Sequence, residues 1–567
     1  MQVDVQWTRA NLREVLPDLP SPQSLSMISR VLNRGMSRYY GHLLAPESTL
    51  GPIARVFCGR LYFNLSQFLH IGSCFRTPPA AILRSMGHGE DIRPEDELVP
   101  RSRPRNLWTR LPDIGRLILM QISAGWLRRR HLRRSARQLA LFRRVDPRTR
   151  TDLEILSTLK NRERHAVDEL QVVLVFGGVG VYEVQLRGIC KRVGRDYKRL
   201  LDTHLAAGEK SVSTQQAFDL LSLAEIARTE SRACEYMRDQ SLSINGWRTR
   251  LQGTEFLKRF DEFLDKYGHR GIYESDIAVP RHREDPAPLL FAIRQHVLSP
   301  ESPRPSEVKQ RQEQEARDAW AEFVAELGWW QRLTAVLPAR ILLRTIKRRY
   351  MWREECRSEL VRIVSEIRRW SLAVADRFVE RHWIEQRDDY FFLRVNEIDR
   401  AVRNQSYGPE LGKIVRRRRA HMENWKQIEM PLLMRESQLV SILEQPFARG
   451  SDAGTSELHG LGVSPGTAEG EVIVMHSPHE FSRMKRGAVL VAPATDPSWT
   501  ALFTLASGVI VEIGGMLSHA STVAREFGLP AIANVKNATQ LLKDGDRVSL
   551  DARQGVVRRI STNRGTL

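Results

Sequence analysis

The sequence predicts a multidomain chain, a large and mostly α-helical N-terminal region followed by a small α/β domain. Three observations carry this. Residues up to about Glu444 repeat their apolar side chains at helical spacing, a small polar stretch from Gly450 to Gly460 interrupts that pattern, and beyond it the apolar residues fall into short β-branched runs. The divisions that follow are a helical region over 1–445, a flexible linker over 446–459 and the α/β domain over 460–567.

In chain order, the helical pattern is clearest in "TEFLKRFDEFLDKYG", where Phe256, Phe260, Phe263, Leu264 and Tyr267 share one face and Gly268 ends the helix. "EVKQRQEQEARDAWAEFVAELGWW" and "ECRSELVRIVSEIRRWSLAVADRFVERHW" read the same way, as helices that bury apolar stripes against one another. Two Pro-containing loops punctuate the region, one at 87–105 and one at 300–305. After the linker, strands are expected at 471–475, 488–492, 508–512, 531–535, 547–551 and 556–560, with turns at "DGD" and "RQG".

Composition narrows the function classes. An apolar content of 42% with 27% charged residues is that of a globular chain. The net charge of +20 admits nucleic acid, a membrane surface or polyanionic small molecules as partners. The excess sits in Arg-rich helical segments, Arg128 to Arg144, Arg344 to Arg357 and Arg416 to Lys426, which read as solvated helix faces. They carry no zinc-finger spacing, RNP-like signature or basic and aromatic interleaving, so a nucleic-acid partner is not expected. Five scattered cysteines without a C-x-x-C pair fit a reducing cytoplasm and predict neither a metal site nor a disulfide framework. The N-terminus lacks a signal-peptide pattern, and the apolar run Leu117 to Leu127 is too short to span a bilayer, so no membrane role is expected.

The chemistry concentrates in "GGMLSHASTVAREFGLPAI", Gly514 to Ile532. A buried strand "GVIVE" leads into a tight turn at Gly514 and Gly515, Ser518 is a good N-cap, and a helix from His519 to Phe527 would stop at Gly528 with Pro530 beyond. His519 then lies where unpaired N–H groups and the helix dipole favour phosphate. Thr522 would share its face and could hydrogen-bond a phosphoryl oxygen. A neutral imidazole can attack phosphorus and leave again, so the residues admit either a phosphoryl-carrying nucleophile or an ordinary core or surface histidine.

This segment, with "GLGVSPGTAEGEV", "LVAPATDPSWTALF" and "ATQLLKDGDRVSLDARQGVV" in the same order, resembles the mobile, swivelling phosphohistidine domain of the phosphoenolpyruvate-utilising enzymes. That group includes phosphoenolpyruvate synthase, pyruvate phosphate dikinase and rifampicin phosphotransferase. The resemblance implies that His519 is the phosphorylated residue, with Gly514, Gly515, Ser518 and Thr522 supporting the phosphate loop.

Upstream, "WTRANLREVLP", "KYGHRGIYESDIAVPRHREDP", "DDYFFLRVNEI" and "RRRRAHMENWKQIEMP" resemble the segment between the ATP-binding and phosphohistidine domains of rifampicin phosphotransferase-like enzymes. In the second, His269, Arg270, Glu274 and Asp276, with Arg281 and Arg283, are either an acceptor-side polar site or a structural loop closing the helix at Gly268. The chain resembles such enzymes only from the end of their ATP-grasp domain onward, and neither "GGVG" at Gly177 to Gly180 nor "GPELGKI" at Gly408 to Ile414 has the form of a P-loop. The resemblance therefore implies a cytoplasmic phosphotransferase component that depends on ATP and Mg²⁺ bound by a separate ATP-grasp protein, and that passes the phosphoryl group to a small-molecule acceptor. The other expectation is a non-catalytic or regulatory remnant acting as an interaction protein.

Overall fold

The computed structural model describes residues 4–560 apart from 14–15, 17, 76, 80–81, 84–85, 87–106, 178, 240–245, 299–304, 326, 429, 445–456, 478–479, 481–482, 496–498 and 516–517. The loop at 87–105, most of that at 300–305, linker residues 446–456 and the Met516-Leu517 lead lie outside the described residues.

The principal helices are α1 (Pro22–Tyr40), α2 (Ala124–Arg144), α3 (Asp152–Gly177), α4 (Tyr197–Ala206), α5 (Val212–Thr229), α6 (Glu255–Tyr267), α7 (Ala287–Val297), α8 (Pro305–Ala325), α9 (Leu337–Glu380), α10 (Glu410–Lys426) and α11 (His519–Phe527). Helix α9 is the spine. Its 44 residues extend about 66 Å at 1.5 Å per residue. Along its second half Ile363, Ile367, Trp370, Val374 and Phe378 form one core with Phe142 of α2 and Ile155 of α3, with Phe142 stacked on Trp370 at 4.7 Å. Helix α6 buries the predicted face, and Phe256, Phe260, Phe263, Leu264 and Tyr267 join a second core with α5 and α7.

The region read as helical also holds a small antiparallel sheet in the order β2 (Ala54–Phe57), β3 (Arg60–Asn64), β1 (Gln6–Thr8), β4 (Leu433–Arg435). Periodicity could not expose it, because strands of three to five residues show almost no period, and Trp7 of β1 pairs with Met434, far away in the chain. The arginine-rich helices are also less solvated than expected. Arg128 and Arg143 of α2 pair with Glu355 and Glu366 of α9, and Arg418 and Arg419 of α10 pair with Glu397 and Asp389. Gly177, Val179 and Gly180 are helical, and Gly408 leads through a turn into α10, so neither segment lies on a strand-to-helix phosphate loop. One helical stretch, Asp152–Arg192, is long and apolar enough to cross a membrane by length and composition alone. Its Val175, Phe176, Val179 and Leu186 are buried in the helical cores.

The α/β domain is built on an eight-stranded sheet in the order β5 (Glu457–His459), β12 (Val556–Arg559), β11 (Arg547–Asp551), β7 (Thr467–Val474), β8 (Val489–Ala492), β9 (Gly508–Val511), β10 (Ala531–Ala533), β6 (Leu461–Ser464). Strands β7 to β10 are parallel, and the flanking pairs are antiparallel. All six expected strands form, and β5 and β6 are additional. Residues 457–459, placed in the linker by the sequence reading, are strand β5, with His459 opposite Val556. Helix α11 lays Ala520, Val523 and Ala524 on one face of the sheet, over Leu490, Val509 and Val511.

Candidate functional site

Strand β9 delivers the chain to Gly514, whose N–H is held by the side-chain oxygen of Asn534 at 3.3 Å. Little space surrounds this position. A Cβ on Gly514 would sit 3.1 Å from the Ser518 hydroxyl and 3.2 Å from the Ala533 methyl. Ser518 caps α11 as predicted, accepting the Ser521 N–H, and Ser521 in turn donates to the Gly515 carbonyl at 2.6 Å. Gly528 ends the helix in the left-handed conformation, φ 67°. His519 is thus the first residue of a nine-residue helix, where N–H groups without intrahelical partners meet the positive end of the dipole. Thr522 departs from its expected role. It is buried, its hydroxyl donates to the Ser518 carbonyl at 2.9 Å, and it also engages Tyr350 of α9, so it braces the turn and the contact with the helical region.

The rest of α11 is packed against the helical region. Arg525 forms a fully buried ion pair with Asp202 of α4 at 2.9 Å and donates to the Val463 carbonyl. The Glu526 carboxylate accepts from the Ser211 N–H and hydroxyl at 3.1 and 2.9 Å. Gln312 of α8 donates to the carbonyls of Arg525 and Glu526 at 3.0 and 2.9 Å, and Lys210 reaches the Glu526 carbonyl. Phe527 meets Phe218 of α5 edge to face at 5.2 Å, and His296 of α7 contacts the Thr504 hydroxyl. Burial pushes the Asp202 carboxyl up to about 6 despite Arg525, raises Glu526, and brings Lys210 down to about 8. On the strand side, Glu512, two residues before Gly514, lies in the electrostatic field of Arg13 and accepts from Thr539.

The second predicted cluster occupies one buried loop, but its members act differently. Asp276 accepts from the Ser21 N–H and hydroxyl and from the Ser24 hydroxyl at 2.7–2.8 Å, which fastens the loop to the start of α1. Arg270 and Glu274 form a buried two-pronged pair, with Arg270 also bound to Ser213 and Gln216. Burial raises the Glu274 carboxyl, but Arg270 foremost, with Arg357 and Arg281, outweighs it and holds the pKa below the usual value. These three side chains are committed to the protein's own structure, whereas His269 lines a cavity on the far side of the loop. Gly268 and Gly271 permit the tight folding, since a Cβ would lie 2.3 Å from the Leu264 carbonyl and 2.6 Å from the Pro280 carbonyl respectively. The docking partners Asp202, Ser211, Gln312 and Tyr350 escaped sequence reasoning, because nothing in their local sequence marks a residue whose partner lies about 170 to 320 positions away.

Comparison with known proteins falls on the same two surfaces. Residues 173–355 match the rifampicin phosphotransferase fourth domain, and residues 484–555 match the PEP-utilising enzyme, mobile domain. Asp202, Ser211, Gln312 and Tyr350 lie in the first match, and Thr522, Arg525 and Glu526 lie in the second. Over these residues the chain is similar to the PEP-utilising enzymes, on their rifampicin phosphotransferase-like side. Among the relatives, a rifampicin phosphotransferase of Streptomyces sp is 28% identical over 374 residues, covering 64% of this chain and 42% of that protein. An uncharacterised protein of Mycobacterium tuberculosis is 26% identical over 580 residues, covering 97% of this chain and 61% of its own length. A prodigiosin synthesizing transferase of Serratia marcescens is 29% identical over 304 residues, 53% of this chain and 33% of that protein. The chain therefore spans less than half of the rifampicin phosphotransferases it matches.

Proposed function

We propose that this chain is a phosphotransferase component in which His519 receives a phosphoryl group from ATP bound on a separate ATP-grasp protein and passes it to a hydroxyl of a small-molecule acceptor held by the helical region. The observation that carries this reading is the position of His519 at the capped start of α11, on a domain whose α11 docks against the helical region. In the forward step an imidazole nitrogen bonds to phosphorus as the donor's P–O bond breaks. In the second the acceptor oxygen replaces the nitrogen, its proton leaves to a base, and neutral imidazole returns. The N–H groups at the start of α11 and the Ser518–Ser521–Gly515 bonding would hold the phosphoryl oxygens in place without reorganisation.

The docking surface supports a mobile domain. It mixes one small apolar cluster with ion pairs and hydrogen bonds, the composition of interfaces that open and close. Mg²⁺ would accompany ATP on the ATP-grasp protein, where it neutralises the phosphates of the donor. The test is incubation of the full chain with radiolabelled ATP and a candidate ATP-grasp partner. Acid-labile, alkali-stable label is expected on the wild type and not on His519→Ala; equal labelling of both would reject the reading.

A further inference from the structure

A cavity of about 350 Å³ opens on the side of the His269 loop that faces away from Arg270 and Glu274. That volume is at the lower end for a small-molecule site. Arg143, Arg148, Arg281, Arg283, Arg369 and Arg387 line it. Acids pair with most of these arginines, Arg283 with Asp265 outside the wall among them. Glu366 is shared by Arg143 and Arg369, and Asp376 is taken by Arg387. Glu284 is bound by Arg368, and Asp146 accepts the Arg148 N–H to cap a turn. The Arg148 guanidinium has no ion-pair or hydrogen-bond partner among the described residues and stands exposed at the rim.

Two groups in the wall are left unsatisfied. His269 is 5% exposed, and its Nδ1 has no hydrogen-bond partner, while its Nε2 lies 3.5 Å from the Ser358 hydroxyl. Arg281 is 1% exposed. Its terminal nitrogens donate to the carbonyls of Glu274 and Asp276, and its Nε has no partner. Glu274, Asp276 and Glu284 lie in the field of this buried guanidinium, but its hydrogen bonds go to neutral carbonyls and one N–H is left without an acceptor. Burial and the surrounding arginines also hold His269 well below its ordinary pKa, so its ring is neutral and offers one N–H to a ligand.

We propose that this cavity binds a small oxyanion, phosphate or carboxylate, at a site separate from the phosphoryl-transfer face. Guanidinium forks match both oxyanions. The separation is geometric. Tyr350 marks the contact of α9 with the His519 helix, and Ser365, the first α9 residue in the cavity wall, lies about 22 Å farther along the helix axis. In the docked arrangement a ligand here is out of reach of phosphoryl transfer.

Calorimetric titration of the full chain with inorganic phosphate and, separately, with succinate tests this and distinguishes the two oxyanion classes. One saturable site is expected for at least one probe, weakened about tenfold or more by Arg148→Glu, a rim change that breaks no ion pair. Arg129→Glu, the same charge change in an exposed groove on α2, should alter affinity less than about twofold. His519→Ala should bind as the wild type does. No saturable binding of either probe, equal loss in Arg148→Glu and Arg129→Glu, or loss in His519→Ala would each overturn the proposal.

Discussion

Arg525 and Asp202 are the residues on which docking turns. Each is almost fully buried, and they pair at 2.9 Å across the contact. Removing one leaves the other buried without its ion-pair partner, a loss of about 3–5 kcal/mol. Arg525→Met is therefore expected to destabilise the docked arrangement by that order, and Arg525→Met with Asp202→Leu to recover much of it, as read from urea unfolding midpoints. The same pair sets a pH dependence. Burial raises Asp202 from 3.8 to about 6, so its contribution to stability is full below about pH 4 and is lost as pH rises through about 6. His296, pushed down to about 3 by burial, acts in the opposite sense below its ordinary pKa, so the contrast that isolates Asp202 is with Asp202→Asn. The wild type should gain stability relative to Asp202→Asn as pH falls from 7 to 5; a flat difference would contradict the assignment.

Among the elements, α11 and the strand before it show what local sequence can specify. Ser518 as cap, His519 to Phe527 as helix and Gly528 as stop were legible because each depends on neighbours within a few positions. The glycines of "GLGVSPG" carry a tertiary constraint that sequence alone does not show. A Cβ on Gly462 of β6 would fall 1.8 Å from the Ala552 carbonyl, and no rotamer can relieve a clash with backbone. Gly462→Ala is expected to cost about 1–3 kcal/mol or more and to lower the melting temperature of the α/β domain, seen by circular dichroism. What was not legible at this scale was pairing over distance: β1 with β4, β5 with β12, and the division of the His269 loop into a structural face and a cavity face. In that loop the sequence displays six polar residues alike. Only the fold separates Asp276, which ties down α1, from His269, whose buried Nδ1 has no hydrogen-bond partner.

Across the whole molecule, a rigid helical frame built on α9 presents one face to a small α/β domain that begins with a flexible linker in the sequence reading. Among the described residues, the ion pair, the Glu526 network and one small apolar cluster hold the domain there, the mixed composition of an interface that can open and close. On this account Arg525→Met acts mainly by releasing the domain. Small-angle scattering should show a larger radius of gyration with secondary structure unchanged, and an unchanged radius would mean that the buried pair is not what holds the domain in place. The central claim is that the phosphoryl group travels on the first residue of α11. Site mapping by tandem mass spectrometry, after charging with ATP and the ATP-grasp partner and proteolysis at alkaline pH, tests it most directly. The account predicts a single phosphoryl group on His519; a phosphoryl group on any other residue, with His519 unmodified, would contradict it.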